Sequence, residues 1–228
     1  MHGSVKRPKA DSKPLAVADV SRKPQQGRSL ASLKRMLEAA RELMLERGNE
    51  EFTLQEVSDR GQVSIGSIYL RFESKDNLVR GVIAEALEAL AEEEAVLFQQ
   101  LGEDCADLES FMVAYVESHA EVLRKHAPLL RLTMERAQSD PLVAMPGKQQ
   151  ALRSETEMTE ALLGYASEFG SSNAEDHRIK AQSCYHVIFA TLARQLSLGT
   201  SGAAVHGYDW TQMKRELASM CIAYLRAA

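Results

Sequence analysis

Thr53-Leu-Gln-Glu-Val-Ser-Asp-Arg-Gly-Gln-Val-Ser-Ile-Gly-Ser-Ile-Tyr-Leu-Arg-Phe-Glu-Ser-Lys75 encodes two short helices and a tight turn. Thr53 and Glu56 form a capping box: the hydroxyl accepts an orphan amide proton, and the carboxylate reaches back to the cap. Leu54 and Val57 point inward, and Gly61 marks the turn. Ser64 caps the next helix, whose inward face is Ile68, Tyr69 and Phe72. Ser64, Ile65, Gly66, Ser67 and Arg71 are left on its outer side. Two short helices at a steep angle leave the second free to enter a DNA major groove. Gly66 is costly inside a helix, and a close approach to a DNA strand accounts for keeping it.

Upstream, Leu30, Leu33, Leu37, Ala40 and Met44 recur at three- and four-residue steps, the mark of an amphipathic helix. It is expected to stop at Arg47-Gly48, where glycine takes the left-handed cap. Downstream, Ser74 caps a long helix with the apolar stripe Leu78, Val82, Ile83, Ala86, Leu87 and Leu90. Further helices are expected over 107–125, 128–138, 147–169, 174–198 and 209–226. Pro128 is read as the first turn of its helix. Asn173 with Asp176, and Asp209 with Gln212, are read as caps. The glycine-rich segment 199–208 reads as a loop. The chain is therefore expected to be all-α. Residues 1–27 form a disordered basic arm, 28–75 a three-helix domain with a helix-turn-helix, and 76–228 a larger helical domain.

The chain has 228 residues, 45% hydrophobic and 26% charged, as in an ordinary globular protein. No apolar run approaches the roughly 20 residues that cross a bilayer, and the N-terminal residues lack the apolar core of a signal peptide. No membrane partner and a cytoplasmic location are expected. Cys105, Cys184 and Cys221 are odd in number and widely spaced, which argues against a disulfide framework. Net charge is −5, but its distribution is uneven. Residues 1–35 carry nine basic and two acidic residues, a balance of +7, leaving −12 for the other 193. A basic arm on an acidic body suits a protein that meets a polyanion at one end. The arm either tracks a groove beside the recognition helix or serves solubility alone.

The segment resembles the TetR family of repressors, whose motif is roughly T-x-x-x-I-A-x-x-A-G-V-S-x-G-x-x-Y-x-x-F-x-x-K-x-x-L. The matches are Thr53, Val63, Ser64, Gly66, Tyr69, Phe72, Lys75 and Leu78, with Val57 conservative. The departures are Ser58 at the usual alanine and Gly61-Gln62 in place of Ala-Gly, so the turn is expected to differ in detail. The resemblance is sharp over residues 30–80. It implies that Thr53, Ser67, Tyr69 and Lys75 contact phosphates, Lys75 from the first turn of its helix. Gln55, Ile65, Gly66 and Arg71 are then placed to reach bases or nearby backbone. Arg71 either pairs with a guanine or clamps a phosphate. The Tyr69 ring is either core, with only its hydroxyl reaching DNA, or contact surface.

Beyond residue 100, Met112, Tyr115, His119, Met134, Met158, Tyr165, Tyr185, His186 and Phe189 mix apolar bodies with polar tips. Such residues line small-molecule pockets, or are simply core. The resemblance implies that a pocket for an unidentified effector exists. Two stripes, Tyr185, Ile188, Phe189, Leu192 and Leu196, and Met213, Leu217, Met220 and Tyr224, either form a homodimer surface or bury within one subunit. Small Ala190, Ala193 and Ser197 would allow close approach across a two-fold axis. The expected function is a homodimeric repressor released from a palindromic operator in double-stranded DNA by a small molecule. The alternative is a helix-turn-helix activator or architectural protein without a ligand. An enzyme is not expected. Cys184 and His186 are two apart on a helix and face different sides, and no phosphate loop, metal-ligand cluster or nucleophile elbow appears. No cofactor and no metal are expected.

Overall fold

The computed structural model describes residues 15–21, 27–196, 198 and 209–227. Among these residues the secondary structure is helical without strands. The helices are α1 (Val17–Val20), α2 (Gly27–Arg47), α3 (Leu54–Gly61), α4 (Ile65–Arg71), α5 (Lys75–Asp104), α6 (Leu108–Ala137), α7 (Pro141–Leu163), α8 (Ala174–Gln195) and α9 (Trp210–Arg226), with a 3₁₀ turn at Ala166–Glu168. Of the expected arm, residues 1–14 and 22–26 lie outside the described residues, as do Ser197 and the segment 199–208. The described part of the arm is not irregular: α1 lies against α5, and Val17 packs on the N-terminal core.

In the N-terminal half, α2 buries Leu33, Met36, Leu37, Ala40, Leu43 and Met44. It ends at Arg47, and Gly48 takes the left-handed conformation with φ +65°. Leu30 does not join this stripe and is 59% exposed. The close approach to α3 comes later on the helix, around Arg35, whose carbonyl oxygen faces Gly61. Ile68 and Phe72 close the core from α4 and its end, and Leu78, Val79, Val82, Ile83 and Leu87 close it from α5. The same cluster takes in Leu129 and Leu132 of α6 and Val143 of α7, so its packing runs well past residue 75.

The second core is built from α5 to α9, with α6 packed against α5, α7 and α9. The break expected before Pro128 does not occur. Helix α6 runs unbroken from Leu108 to Ala137 with Pro128 inside it. A proline in a helix interior removes a donor and costs about 3 kcal/mol. Here the helix is held on both sides of it: Leu123 lies in one core, and Leu129 and Leu132 lie in the other. Helix α7 starts earlier than the span 147–169, because Asp140 caps it by accepting from Leu142 N at 3.1 Å and Pro141 occupies its first turn. It ends at Leu163. Asn173 caps α8, though it accepts from Glu175 N at 2.9 Å and not from Asp176, and Asp209 caps α9 by accepting from Gln212 N at 2.7 Å as expected.

Most of the two stripes assigned to α8 and α9 bury within the chain itself. Tyr185, Ile188, Leu192, Met213 and Leu217 belong to the second core, with half-buried Phe189 and Leu196 packed against it. Met220 and Tyr224 of the α9 stripe are exposed instead, as are Ile179 and Val187 of α8, which lie outside its stripe. Exposed Ala190 lies on the α8 side with them.

One ionic cluster ties the two halves together. Arg136, at the end of α6, donates to Glu50 at 2.7 Å, to Asp76 at 2.8 Å and to Asp140 at 2.9 Å. Arg80 of α5 also donates to Asp140, at 2.8 Å. Asp140 is buried, so its charge depends on these two guanidinium groups, which hold its carboxyl below the usual range against the push of burial.

Candidate nucleic-acid interface

The segment 53–75 folds as two helices around a turn that answers its own sequence. Glu56 N donates to Thr53 Oγ1 at 3.2 Å, and Thr53 N donates to the Glu56 carboxylate at 2.8 Å. Arg47 also pairs with Glu56. That pairing, then the two hydrogen bonds from Thr53, hold the carboxyl down to a pKa of about 2. Helix α3 ends with Gln62 in the left-handed region, φ 49° and ψ 47°. Val63 N closes the turn onto Ser58 O at 3.1 Å. Ser58 is buried, and its hydroxyl donates to Val63 O at 2.6 Å.

Both departures from the family motif thus find a local role. Gly61 is not the turn residue. A side chain there would meet Arg35 O at 3.0 Å and the Ala39 methyl at 3.3 Å, so the glycine allows α3 to lie on α2. The left-handed position falls to Gln62, and the Ser58 hydroxyl adds a second tie across the turn.

Helix α4 opens at Ser64, whose hydroxyl accepts from Ser67 N at 3.1 Å and lies 2.7 Å from Ser67 Oγ. Ile68 and the adjoining Phe72 are fully buried, while Ser64 and Gly66 are exposed and Ile65, Ser67 and Arg71 are half-buried. Tyr69 does not share the inward face with Ile68. It is 57% exposed, because position 69 turns about 100° away from 68 on the helix. Beside it, Leu70 is 70% exposed. The sequence reading did not single out Leu70; its place between Ile68 and Phe72 was the available signal. A Cβ added at Gly66 meets nothing within 4 Å, so nothing in the fold itself requires a glycine there.

Thr53 and Gln55 are exposed at the start of α3, where the Gln55 amide donates to Asp59 at 2.8 Å. Lys75 occupies the first turn of α5 with its ammonium 4.7 Å from the centre of the Phe52 ring. The ring contact fixes the stem of this cation beside the α5 N-terminus, where backbone amides favour an anion.

The residues read as an effector pocket divide. Met112, Tyr115, Met158 and Tyr185 are buried together in the second core, with Phe189 packed against it. Buried His119 stacks on Tyr115 at 5.0 Å. Half-buried Met134 lies outside that cluster, because the last turns of α6 extend toward the N-terminal core. Tyr165 is half-buried and donates to Cys105 O at 3.0 Å. His186 is exposed beside Glu155 and faces away from this core.

Residues 36–82 match the model of the bacterial regulatory proteins of the tetR family. No curated protein matches the sequence. Among solved structures, the chain is similar to a tetR-family transcriptional regulator from Mesorhizobium loti, at 14% identity and a TM-score of 0.70, covering 88% of this chain and 98% of that one. It is similar to a transcriptional regulator from Cytophaga hutchinsonii, at 16% identity and a TM-score of 0.61, covering 86% and 100%. It is also similar to the transcriptional regulator FadR from Bacillus subtilis in complex with stearoyl-CoA, at 16% identity and a TM-score of 0.60, covering 84% and 98%. At such identities these likenesses speak for the fold. No helix among the described residues is long and apolar enough to cross a membrane. Residues 36–82, which hold the helix-turn-helix, thus match the tetR family of bacterial regulatory proteins, and the chain shares the all-helical fold of these transcriptional regulators.

Proposed function

We propose that the protein is a cytoplasmic, homodimeric repressor that binds a palindromic operator through α4 and leaves it when a small molecule enters the C-terminal core. The observation that carries the DNA-binding part is the open outer side of α4. Ser64, Gly66 and Tyr69 face solvent, and Gly66 has no internal reason to lack a side chain. Thr53, Ser67, Tyr69 and Lys75 are the phosphate contacts in this reading, and Gln55, Ile65, Gly66 and Arg71 meet bases or nearby backbone. The exposed apolar sides of α8 and α9, around Val187 and Met220, supply a self-complementary dimer surface. Two copies then present their α4 helices about 34–36 Å apart, one turn of DNA.

Ligand entry into the core around Met112, Tyr115, His119, Met158, Tyr185 and Phe189 shifts the population toward a spacing that no longer fits. The stearoyl-CoA held by the Bacillus subtilis regulator supports a ligand role for this fold. Helix α5 is the lever, since it begins at Lys75 and continues into the second core.

Selection of bound duplexes from a random pool tests the reading. A two-fold symmetric site is the expected result, and no enrichment would overturn it. On that site, Tyr69→Ala and Lys75→Ala weaken binding to all sequences alike, each by about tenfold, or ~1.4 kcal/mol. Arg71→Ala relaxes base preference if its guanidinium reads a guanine, and lowers affinity uniformly if it clamps a phosphate.

A further inference from the structure

The polar residues at the centre of the second core have chemistry that packing alone does not use. Glu94 stands in the run Glu92-Glu93-Glu94 on α5, yet its residue is 2% exposed. Its Oε2 accepts from Ser154 Oγ at 2.6 Å and from Gln150 Nε2 at 2.7 Å. Its Oε1 lies 3.7 Å from Nδ1 of His119, too far for a hydrogen bond. His119 is equally buried, and neither ring nitrogen has a hydrogen-bond partner; the buried Tyr115 hydroxyl has none either. Burial holds the imidazole at a pKa of about 4, so it is neutral at neutral pH and cannot offset a carboxylate. Burial also pushes the Glu94 carboxyl up, against the hydrogen bonds from Ser154 and Gln150, with Glu157 adding a smaller push and Arg153 a smaller pull. A buried acid without a cation beside it is costly unless a partner supplies one.

A groove of about 820 Å³ opens on the other side of Gln150, between α5 and α7. That size falls within the roughly 300–1,000 Å³ of small-molecule sites. Leu87, Ala91, Ala95 and Leu152 make its apolar walls, and Leu15 of the N-terminal segment covers one side. Its charged residues are Glu88, Glu92, Glu157 and Arg153, with Arg153 paired to Glu157 at 2.8 Å. Gln150 lines the groove and also donates to Glu94, so one side-chain amide stands between the opening and the buried acid. Behind the acid, the rings of Phe98, Tyr115 and His119 are stacked at 5.7 and 5.0 Å.

We propose that this groove is the entrance to the effector site, and that the effector is an amphipathic organic cation whose ammonium group takes the place of Gln150 on Glu94. The proposal rests on the ligand-responsive reading given above. The apolar body of the effector lies along Leu87, Ala91 and Leu152, and its charged head meets a carboxylate backed by aromatic faces, which favour cations. The acidic rim draws cations in and repels anions. An anionic ligand of the kind held by the Bacillus subtilis regulator is therefore disfavoured here. The inserted head also replaces a contact between α5 and α7, on the helix that starts at Lys75.

Three probes with the same apolar body separate the head-group chemistry: dodecylamine, dodecanol and dodecanoate, below their micellar concentrations. Binding to the full-length protein is measured by calorimetry at neutral pH. Dodecylamine is expected to bind at least about tenfold more tightly than the other two. In Glu94→Gln, an isosteric change, the three affinities converge to within about twofold. Gln150→Lys, which places an ammonium on the acid from within, loses about tenfold or more of the amine affinity and keeps the unliganded unfolding temperature. Equal or tighter binding of dodecanol or dodecanoate, no binding of any probe, or a surviving amine preference in Glu94→Gln overturns the proposal. If Glu94→Gln does not fold, undiminished amine binding by Gln150→Lys overturns it. Failure of the regulator reading itself shows differently, as no sequence-selective DNA binding by the unliganded protein whichever probe binds.

Discussion

At Gln62 a side chain with a Cβ sits where L-residues are strained, at φ 49°. Glycine would relieve that strain but adds freedom to the unfolded chain, so Gln62→Gly is expected to gain up to about 1 kcal/mol. Gln62→Val, β-branched in the same conformation, is expected to lose about 1–2 kcal/mol. Urea unfolding midpoints at constant slope measure both. Ser58→Ala removes the hydroxyl that donates to Val63 O and is expected to cost about 1 kcal/mol by the same measurement.

Glu56 offers a pH test at the same scale. Its pKa of about 2 in the fold lies below the ordinary value of about 4.3. The carboxylate is therefore favoured by folding. Its contribution is complete above about pH 4.3 and disappears as pH falls through the folded value. Stability of the parent chain is expected to fall more steeply over that window than stability of Glu56→Gln, followed by thermal unfolding across pH. Equal slopes would show that the Arg47 and Thr53 contacts do not bias the titration.

Among elements, the α2–α3 contact depends on Gly61, since a methyl there meets the Arg35 carbonyl at 3.0 Å. Gly61→Ala is expected to destabilise by about 1–3 kcal/mol, because backbone cannot yield as a side chain can. Helix α6 makes the opposite case. Pro128 is exposed inside it, and Pro128→Ala restores an amide donor, with an expected gain of about 1–3 kcal/mol. Chemical denaturation of both variants checks the signs. These two residues also mark what the sequence could and could not tell. The capping box at Thr53 and the end at Gly48 were legible because each rests on a few adjacent residues. Pro128 misled, since a local helix-breaking preference lost to burial on both sides of it, in cores built from residues far along the chain.

For the molecule as a whole, Arg136 is the point where the two halves meet. It binds Glu50, Asp76 and Asp140, and so joins the end of α2, the start of α5 and the start of α7. Arg136→Met is expected to weaken the coupling: ligand binding in the core persists while its effect on DNA affinity falls by about tenfold, or ~1.4 kcal/mol. Calorimetric ligand binding and DNA titration with and without ligand separate the two quantities. A variant that keeps full coupling would place the connection in the apolar contacts of Leu129, Leu132 and Val143 instead.

The sequence by itself determined the helical class and the helix-turn-helix of residues 53–75 with its likeness to the tetR family, because caps, turns and a 3.6-residue period are written in neighbouring residues. It named Tyr69 and Lys75 through that likeness, and Gly66 also as a residue that is costly inside a helix. It could not tell which face of α8 turns inward, that Leu30 and Tyr69 lie outside, or that Arg136 links the halves. Nor did it reveal Glu94, which stands in an acidic run that reads as solvated and is buried only because α6 and α7 close over it. Burial and long-range pairing are properties of the packed chain, and for these residues only the tertiary structure decides them.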